Sequence, residues 1–418
     1  MAPGFRALPL PLGQLSLSAV LRCGQSFRWS IYPLSLSPDL LDPTRPSHEY
    51  RFCLRDRVVC LRQTSDALLF RSVFPVTPKN TEEKDAETLT WIRDYFQLDI
   101  DLLKLYEEWS DRDPVFARLR SRFEGIRMLR QDPWENLISF ICSSNNNIAR
   151  ITKMIKSLCA HFSAPLLSLP PPLLPEPYYP FPSPSRLAEP TVSAILRSLG
   201  FGYRADYIQK TAAMLVDARS ASLSWSGVEA PEEWLKALRK ASTMDARNEL
   251  LKLFGVGRKV ADCVLLMSLD KKEVIPVDTH VHQIAIKHYG FRSSSSLRQT
   301  LSPKLYEDIN SRLVDVWGDY AGWAHSVLFT ADLKSFSAHG SPTPSPIPRR
   351  SRHPISAQHD EDYVPTTPPS STSQKKRKCG VLALPATIID TRDAASLAER
   401  VKRRRSRIVR DEIGDSGY

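Results

Sequence analysis

The chain contains no long hydrophobic run. Of its 418 residues, 42% are hydrophobic, yet no stretch approaches the roughly 18 uninterrupted apolar residues that a membrane helix needs. Prolines interrupt the apolar start "MAPGFRALPLPLGQLSLSAVL", and no small-residue cleavage pattern follows it. We therefore expect no membrane association and no secretion. A mitochondrial presequence would carry more arginine, so mitochondrial targeting stays an open alternative.

Cysteine pairs at metal-ligand spacing are also missing. The cysteines are odd in number, scattered along the chain, and show neither CxxC nor Cys/His ligand spacing. We therefore expect a reduced, intracellular protein without a zinc or iron–sulfur site. The seven positions are Cys23, Cys53, Cys60, Cys142, Cys159, Cys263 and Cys379.

Positive charge exceeds negative charge. The chain has 57 Lys and Arg against 46 Asp and Glu, a net charge of +11. Such a balance suits a polyanionic partner, although net charge governs association and not fold. Residues 337–418 contain 15 Lys and Arg but only 9 Asp and Glu, so more than half of the excess lies there. The charge of this tail therefore does not identify a specific site.

The sequence divides into three regions. Residues 1–115 contain short runs such as "YRFCLRDRVVCLRQ", in which apolar and polar residues alternate imperfectly, as in a half-buried antiparallel sheet. Residues 116–336 follow helical periodicity. Within them, the proline-dense stretch 163–185 is expected to be an irregular loop or polyproline connector. No internal repeats are evident.

One predicted helix has a complete start signal. Asp132 is the expected N-cap, Pro133 occupies the first helical position, and Glu135 stands at the capping-box position. Apolar residues then recur at helical spacing along "PWENLISFI". The sequence therefore predicts a helix that begins at Pro133.

The tail, residues 337–418, is predicted to be disordered because its first half is rich in Ser, Pro and Thr and offers little to bury. Two basic clusters follow at 375–378 ("KKRK") and 401–407 ("VKRRRSR"). Such runs are typical of nuclear localisation signals, which predicts a nuclear protein and an import receptor as partner. The alternative is a solvated tail that no receptor reads.

The stretch "LFGVGRKVADC" predicts a helix–hairpin–helix at about 245–269. It lacks the spacing of a P-loop and the third glycine of a dinucleotide fingerprint. "MDARNELLKLF" predicts a helix with Leu250, Leu251 and Phe254 on one face, and "RKVADCVLLMSL" begins the second helix. Two glycines between them permit a tight turn, and the exposed amides of the second helix favour a phosphate. A purely structural turn is the alternative.

Lys259 lies in the first turn of that second helix, with Cys263 one turn later on the same face. A lysine in water has a pKa of roughly 10.4 and is a poor nucleophile near neutrality. Asp278, in "PVDTHV" at an expected helix start, is able to orient the amine and offset a cationic, oxocarbenium-like transition state. Alternatively, Lys259 binds a phosphate and Asp278 is only an N-cap.

Six motifs occur in order: "GQSFRW", "CSSNNNIARI", "LGFGYRADY", "GVGRKVADC", "PVDTHV" and "YAGWAHSVLF". Together they resemble the eukaryotic 8-oxoguanine DNA glycosylase/AP lyase family of the helix–hairpin–helix superfamily, over roughly residues 10–335. The resemblance implies an α+β fold, in which an antiparallel, TATA-binding-protein-like domain precedes an all-α bundle. It implies a monomer that needs no cofactor or metal and excises 8-oxoguanine, and formamidopyrimidine, opposite cytosine in duplex DNA.

The resemblance also implies roles for individual residues. Lys259 forms the Schiff base that leads to β-elimination, and Asp278 is its electrostatic partner. Such an enzyme must flip the base out of the stack, and its pocket would be formed by Gly24, Cys263, His325 and Phe329. The orphaned cytosine and the wedge into the duplex correspond to Asn145, Arg150, Tyr203 and Arg204. The DNA phosphate contacts correspond to Gly255, Val256, Gly257 and His280.

The sequence departs from the family in three respects, one of which is that the proline-dense stretch and the long basic tail lie outside the common core. His325 stands where glutamine is usual, which changes the donors and acceptors offered to the base, and Phe254 stands where proline is usual. Two other functions stay open: a glycosylase for another damaged base, and a noncatalytic helix–hairpin–helix DNA-binding protein. His280 and His282 point to nearly opposite faces of a helix, so we expect no metal site, and a structural role for His282.

Overall fold

The computed structural model describes most of the chain before residue 340. No helix among the described residues is long and apolar enough to cross a membrane. The predicted disorder of the tail and both of its basic clusters lie outside the described residues. The described ranges are 4–34, 45–170, 175–218, 228–291 and 301–339.

The N-terminal region forms an antiparallel sheet, as predicted. Its spatial order is β1-β5-β4-β3-β2, and every neighbouring pair is antiparallel. The run "YRFCLRDRVVCLRQ" supplies two adjacent strands that pair Arg51 with Cys60. The strands are β1 (Arg6–Pro9), β2 (Ser30–Pro33), β3 (His48–Cys53), β4 (Val58–Gln63) and β5 (Ala67–Val73), with helices α1 (Leu17–Val20) and α2 (Thr81–Tyr95).

The expectation of a half-buried sheet is wrong for β3 and β4, whereas burial along β5 alternates at first, as expected. Tyr50 and Leu61 belong to the apolar cluster that includes Tyr95 of α2, whereas Val58 and Cys60 lie in a second cluster. The second cluster is closed by the proline-dense insertion, so side chains on both faces are covered. Burial on both faces explains why the alternation in the sequence is imperfect.

The proline-dense insertion is not wholly irregular, contrary to expectation. It contains an antiparallel pair of strands, β6 (Leu167–Leu169) and β7 (Glu176–Tyr178). Hydrogen bonds anchor this ribbon to the N-terminal sheet: the hydroxyls of Tyr32 and Tyr178 lie 2.9 Å apart, and Arg51 donates to the Pro170 carbonyl at 3.0 Å. Tertiary contacts with the sheet therefore impose strand geometry on a sequence that favours none.

The remaining described chain is helical and shares one large apolar core, which confirms the α+β architecture. Short 3₁₀ turns occur at Arg120–Arg122, Leu238–Lys240, Gly318–Tyr320 and Lys334–Phe336. The helices are α3 (Leu102–Arg112), α4 (Pro114–Leu119), α5 (Pro133–Ile141), α6 (Ile148–Phe162), α7 (Pro184–Ala188), α8 (Val192–Ser198), α9 (Arg204–Asp217), α10 (Ala230–Ala237), α11 (Thr243–Leu251), α12 (Arg258–Ser268), α13 (Thr279–His288), α14 (Pro303–Trp317) and α15 (Ala321–Asp332).

The predicted start of α5 is confirmed, with one difference. Asp132 caps the helix by accepting hydrogen bonds from the amides of Trp134 and Glu135 at 3.0 and 3.1 Å. The Glu135 carboxylate does not return to the cap. It accepts two hydrogen bonds from the buried guanidinium of Arg28, at 2.9 and 2.6 Å. This charge-assisted pair joins the turn before β2 to the first turn of α5.

Candidate active site

A cavity of about 1100 Å³ collects predicted site residues from separate parts of the chain. It lies between the turn at residues 23–25, the loop that joins α5 to α6, the first half of α12, the start of α13, and α15. The two predicted one-turn pairs face it together, Lys259 with Cys263 and His325 with Phe329. The residues brought together here are Gly24, Lys259, Cys263, Asp278, His280, His325 and Phe329.

The amine of Lys259 enters the cavity from the start of α12. Gly257 is the N-cap of this helix, with extended backbone, so Lys259 is its second residue. Nζ donates a hydrogen bond to Oγ of Ser143 at 3.2 Å and lies 5.0 Å from the ring centroid of Phe140. A cation near an aromatic face is held by the ring quadrupole. The lysine side chain is half-buried.

Asp278 caps α13 and also lines the cavity. Its Oδ1 accepts hydrogen bonds from the amides of His280 and Val281 at 2.9 and 3.1 Å. Asp278 is thus an N-cap, as the alternative interpretation predicted. This role is compatible with an electrostatic effect on Lys259. Burial raises the pKa of the Cys263 thiol to about 11, while the charge of Lys259 opposes that rise and the charge of Asp278 adds to it. All three side chains therefore share one electrostatic environment.

His325 is a buried polar group in the cavity wall. The residue is only 7% exposed, and neither ring nitrogen has a hydrogen-bond partner among the described residues. Burial lowers the pKa of this imidazole to about 4, against an opposing effect of the Asp278 carboxylate. The ring is therefore neutral at physiological pH and offers one donor and one acceptor to a ligand.

Gly24 occupies a position that requires glycine. Its φ is +89°, and an added Cβ would lie 2.8 Å from Cδ1 of Ile148. Two buried glutamines hold the turn: Gln25 donates to the Arg127 carbonyl at 3.2 Å and accepts from the Leu129 amide at 3.0 Å. Gln131 donates to the Gln25 carbonyl at 2.8 Å.

These two glutamines and Ser143 were not among the residues predicted from the sequence. Gln25 stands inside the quoted motif "GQSFRW", and Ser143 stands inside "CSSNNNIARI", so both were visible as neighbours of predicted residues. Gln131 carries no such signal. Its contact with residue 25 spans more than 100 positions of sequence.

The loop that joins α5 to α6, here the 143–147 loop, is fastened from α9. Arg204 is only 4% exposed. Its guanidinium donates to the carbonyls of Ser144 (Nε, 3.1 Å), Asn145 (Nη2, 3.0 Å) and Phe201 (Nη1, 3.3 Å), with a further bond from Nη2 to Ser144. Asn145 itself has a φ of +47° and is exposed. Arg204 is therefore not the surface residue that its polarity suggests.

Two exposed side chains flank the 143–147 loop. Tyr203 is 46% exposed, and its hydroxyl donates to the Ser144 carbonyl at 3.1 Å. Arg150, in the first turn of α6, donates to the Gly200 carbonyl at 3.2 Å. The structure thus places Asn145, Arg150, Tyr203 and Arg204 around one loop, whose Ser143, Asn146 and Asn147 line the cavity.

The glycine hairpin between α11 and α12 forms as predicted. Gly255 has a φ of +73°, and an added Cβ would lie 2.5 Å from Cδ2 of Tyr207, so only glycine fits. Val256 is buried, whereas Gly257 is exposed at the start of α12. The hairpin therefore presents the unpaired amides of a helix N-terminus to solvent.

The apolar face predicted for the first hairpin helix is wrong. Only Leu250 is buried, while Leu251 and Phe254 are 40% and 48% exposed. The reason is that α11 ends at Leu251, so Phe254 lies in the turn and does not continue the helical face. Its carbonyl accepts a hydrogen bond from Oγ1 of Thr211 at 2.8 Å.

The two histidines in the first turn of α13 differ in surroundings. His280 is exposed, with Nδ1 3.3 Å from a carboxylate oxygen of Asp332 and its ring edge-on to Phe329 at 5.7 Å. His282 is half-buried, and its Nε2 has no hydrogen-bond partner among the described residues. His280 therefore stands at the rim of the cavity, and His282 does not line it.

Comparison with known families matches two consecutive parts of the chain. Residues 7–137 match the 8-oxoguanine DNA glycosylase N-terminal domain, and residues 138–305 match the HhH-GPD superfamily of base excision DNA repair proteins. An N-glycosylase/DNA lyase of Saccharomyces cerevisiae is 35% identical, over 84% of this chain and 91% of its own. The N-glycosylase/DNA lyase OGG1 of Arabidopsis thaliana is 36% identical, over 79% and 81%.

Solved structures give the same picture. MBOgg1 in complex with a low-affinity DNA ligand superposes with a TM-score of 0.61 at 27% identity, covering 79% of this chain and 96% of that one. The Clostridium acetobutylicum 8-oxoguanine glycosylase/lyase, in complex with duplex DNA that has cytosine opposite 8-oxoguanine, gives a TM-score of 0.57 at 27% identity. That match covers 76% of this chain and 91% of the other.

Proposed function

The chain belongs to the family of 8-oxoguanine N-glycosylase/DNA lyases, and we propose that it excises 8-oxoguanine and formamidopyrimidine opposite cytosine through a lysine Schiff base. The observation that carries this proposal is the convergence of Lys259, Asp278, Gly24 and Phe329 on one cavity. The damaged nucleotide enters it after rotation out of the duplex, as base chemistry requires.

The cavity selects the base by one hydrogen-bond acceptor. The Gly24 carbonyl accepts from N7–H, a proton that 8-oxoguanine has and guanine lacks. With ordinary guanine, two acceptors would face each other and a buried group would be left unpaired. Cys263 and Phe329 contact the two faces of the base, and His325 contacts its Watson–Crick edge.

The chemistry uses the amine of Lys259 as nucleophile. Nζ attacks C1′, the bond from C1′ to N9 breaks, and its electron pair leaves with the base, which then takes up a proton. The sugar ring opens to give an imine between Nζ and C1′. Loss of a C2′ proton then expels the 3′ phosphate oxygen and nicks the strand. Asp278 offsets the positive charge that develops at the sugar.

The strand opposite the lesion is held at the 143–147 loop. Asn145 accepts from N4 of the orphaned cytosine, while Arg150 and Arg204 donate to its N3 and O2. The exposed ring of Tyr203 enters the space that the flipped nucleotide leaves. These contacts favour cytosine over adenine as the opposite base.

The hairpin and the cavity rim hold the DNA backbone. Amides at Gly255, Val256 and Gly257 bind a phosphate at the start of α12, where the helix dipole favours an anion. The exposed imidazole of His280 binds a second phosphate. These contacts carry no base information and position the duplex.

The nucleophile is tested by trapping the imine. Borohydride with duplex DNA containing 8-oxoguanine opposite cytosine is expected to yield a covalent protein–DNA adduct, and Lys259→Gln is expected to abolish it. Lys252→Gln is the matched control, because Lys252 is exposed, pairs with Glu249 and does not line the cavity. An undiminished adduct with Lys259→Gln would falsify the assignment.

A second candidate function is excision of a different damaged base, and His325 is the observation that favours it. A release assay with 8-oxoguanine, formamidopyrimidine and alkylated purines, each opposite all four bases, separates the candidates. Tight lesion binding without release of any base would instead indicate a noncatalytic DNA-binding protein.

The site of action is proposed to be the nucleus, with the protein acting as a monomer. The basic clusters at 375–378 and 401–407 are the proposed import signals. Replacing each cluster by glutamines in a fluorescent fusion is expected to shift the protein to the cytoplasm, and an unchanged distribution would contradict the assignment. Sedimentation of the full chain tests the monomer.

A further inference from the structure

Ser143 connects two parts of the site that the proposed function keeps separate. Its Oγ accepts a hydrogen bond from Nζ of Lys259 at 3.2 Å. The same residue begins the 143–147 loop, which the proposed function assigns to the opposite base. The contact joins residues that are 116 positions apart in sequence.

The direction of these hydrogen bonds is fixed by the number of protons. A serine hydroxyl has one proton, and Ser143 donates it to the Phe140 carbonyl at 2.7 Å. Toward Lys259, Oγ can therefore only accept. The lysine uses an N–H on this contact, so once the ammonium near the ring of Phe140 has lost a proton, its lone pair is free to attack C1′.

The residues that follow Ser143 are fastened to the groups assigned to the opposite strand. The Ser144 carbonyl accepts from the hydroxyl of Tyr203 and from Nε of Arg204, each at 3.1 Å. The Asn145 carbonyl accepts from Nη2 of Arg204 at 3.0 Å. Because one and two peptide units separate these anchors from Ser143, a shift of the loop moves the hydroxyl that holds the amine.

We propose that Ser143 is a positioning residue that couples the identity of the opposite base to the placement of the Lys259 amine. Cytosine keeps the loop in the arrangement that aligns Nζ, and a mismatched base displaces the loop and the amine with it. The inference rests on the proposed function, since it takes Lys259 as nucleophile and the 143–147 loop as the reader of the opposite base.

The test measures single-turnover excision of 8-oxoguanine, and nicking of an abasic site, each opposite cytosine and opposite adenine. Ser143→Ala is expected to slow both reactions about tenfold, the equivalent of one hydrogen bond, and to reduce the cytosine preference about fivefold. Affinity for DNA is expected to change less than about twofold. Ser143→Thr keeps the hydroxyl and is expected to restore most of the rate and the preference.

The coupling is isolated by a double-mutant cycle. Tyr203→Phe removes the hydroxyl that holds Ser144 and leaves the exposed ring in place. It is expected to lower the cytosine preference about threefold in the wild type, and to have no further effect in Ser143→Ala. Tyr207→Phe is the control, as its ring packs on the hairpin glycine and makes an edge contact with Tyr203.

The outcomes separate the inference from the proposed function. Independent, additive effects of Ser143→Ala and Tyr203→Phe, or a slowed Ser143→Ala that keeps its full cytosine preference, overturn the coupling. A melting temperature of Ser143→Ala well below that of the wild type, with no rescue by Ser143→Thr, assigns the residue a structural role only and also overturns it. Failure to trap any adduct through Lys259 in the wild-type protein overturns the proposed function instead.

Discussion

The cavity and the 143–147 loop satisfy their polar groups in opposite ways. In the cavity wall, both ring nitrogens of His325 are without a partner among the described residues, and Lys259 makes one long hydrogen bond. In the loop, the guanidinium of Arg204 makes four hydrogen bonds to backbone carbonyls. The imidazole in the cavity wall thus lacks partners, whereas the guanidinium in the loop is nearly saturated.

The difference indicates how each region contributes to the free energy of DNA binding. An unpartnered buried polar group is costly in the free protein, and a base that supplies the missing partners recovers that cost. The guanidinium in the loop has no comparable set of unpartnered polar groups for a base to satisfy. Of the five N–H groups of an arginine, four are already used by Arg204, which leaves one on Nη1 for a base. The loop is therefore a preformed template, and the cavity is a site that its ligand completes.

Removal of Arg204 should have the largest effect on stability. Arg204→Ala leaves the carbonyls of Ser144, Asn145 and Phe201 without their donor, and we expect a loss of about 3–4 kcal/mol in the free energy of unfolding. Arg150→Ala, which removes an exposed arginine with one such bond, should cost less than about 1 kcal/mol. Urea unfolding measures the stability loss of each variant. Equal losses would contradict the interpretation that Arg204 holds the loop as a preformed template.

Gly24→Ala should have the next largest effect, on the cavity alone. An alanine Cβ would lie 2.8 Å from Cδ1 of Ile148, and alanine disfavours the positive φ, so the turn must move. Excision of 8-oxoguanine should therefore fall about a hundredfold, which corresponds to about 2.7 kcal/mol in activation free energy. Nicking of an abasic site needs no base contact and should stay within about threefold. Gly290→Ala controls for φ, because that glycine has a φ of +76° and open space around it. An equal loss in both reactions would refute selective damage to base recognition.

The sequence predicted the local features of both regions better than their tertiary ones. The one-turn pairs, the Asp132 cap and the glycine hairpin follow from spacing within a few residues, so they were accessible. The inward direction of Arg204 and the contact between Ser143 and Lys259 were not, because each depends on segments that meet only after folding. The same holds for the strands of the proline-dense insertion, which the N-terminal sheet imposes. The roles of the site residues remain predictions.

The pH dependence of stability tests whether the buried His325 imidazole in the cavity wall is held neutral. The folded pKa of His325 is about 4, below the ordinary value of about 6.5. Protonation therefore favours the unfolded chain, and stability is lost as pH falls from about 6.5 toward 4. Between pH 7 and pH 5 the loss should be about 2 kcal/mol. His325→Gln should remove this component in urea titrations at several pH values, and an unchanged pH dependence would show that the imidazole is not held neutral.

The smallest expected effect separates backbone from side chain in the 143–147 loop. At a φ of +47°, asparagine is tolerated, alanine costs about 1 kcal/mol, and glycine costs nothing in backbone strain. Asn145→Gly should therefore leave the free energy of unfolding within about 0.5 kcal/mol of the wild type, whereas Asn145→Ala should lower it. If the side chain contacts cytosine, both variants lose cytosine preference equally, despite their different stabilities. If cytosine preference instead falls only in the less stable variant, the loop discriminates between bases through its backbone shape. The hydrogen bonds from Arg204 to the Ser144 and Asn145 carbonyls would hold that shape.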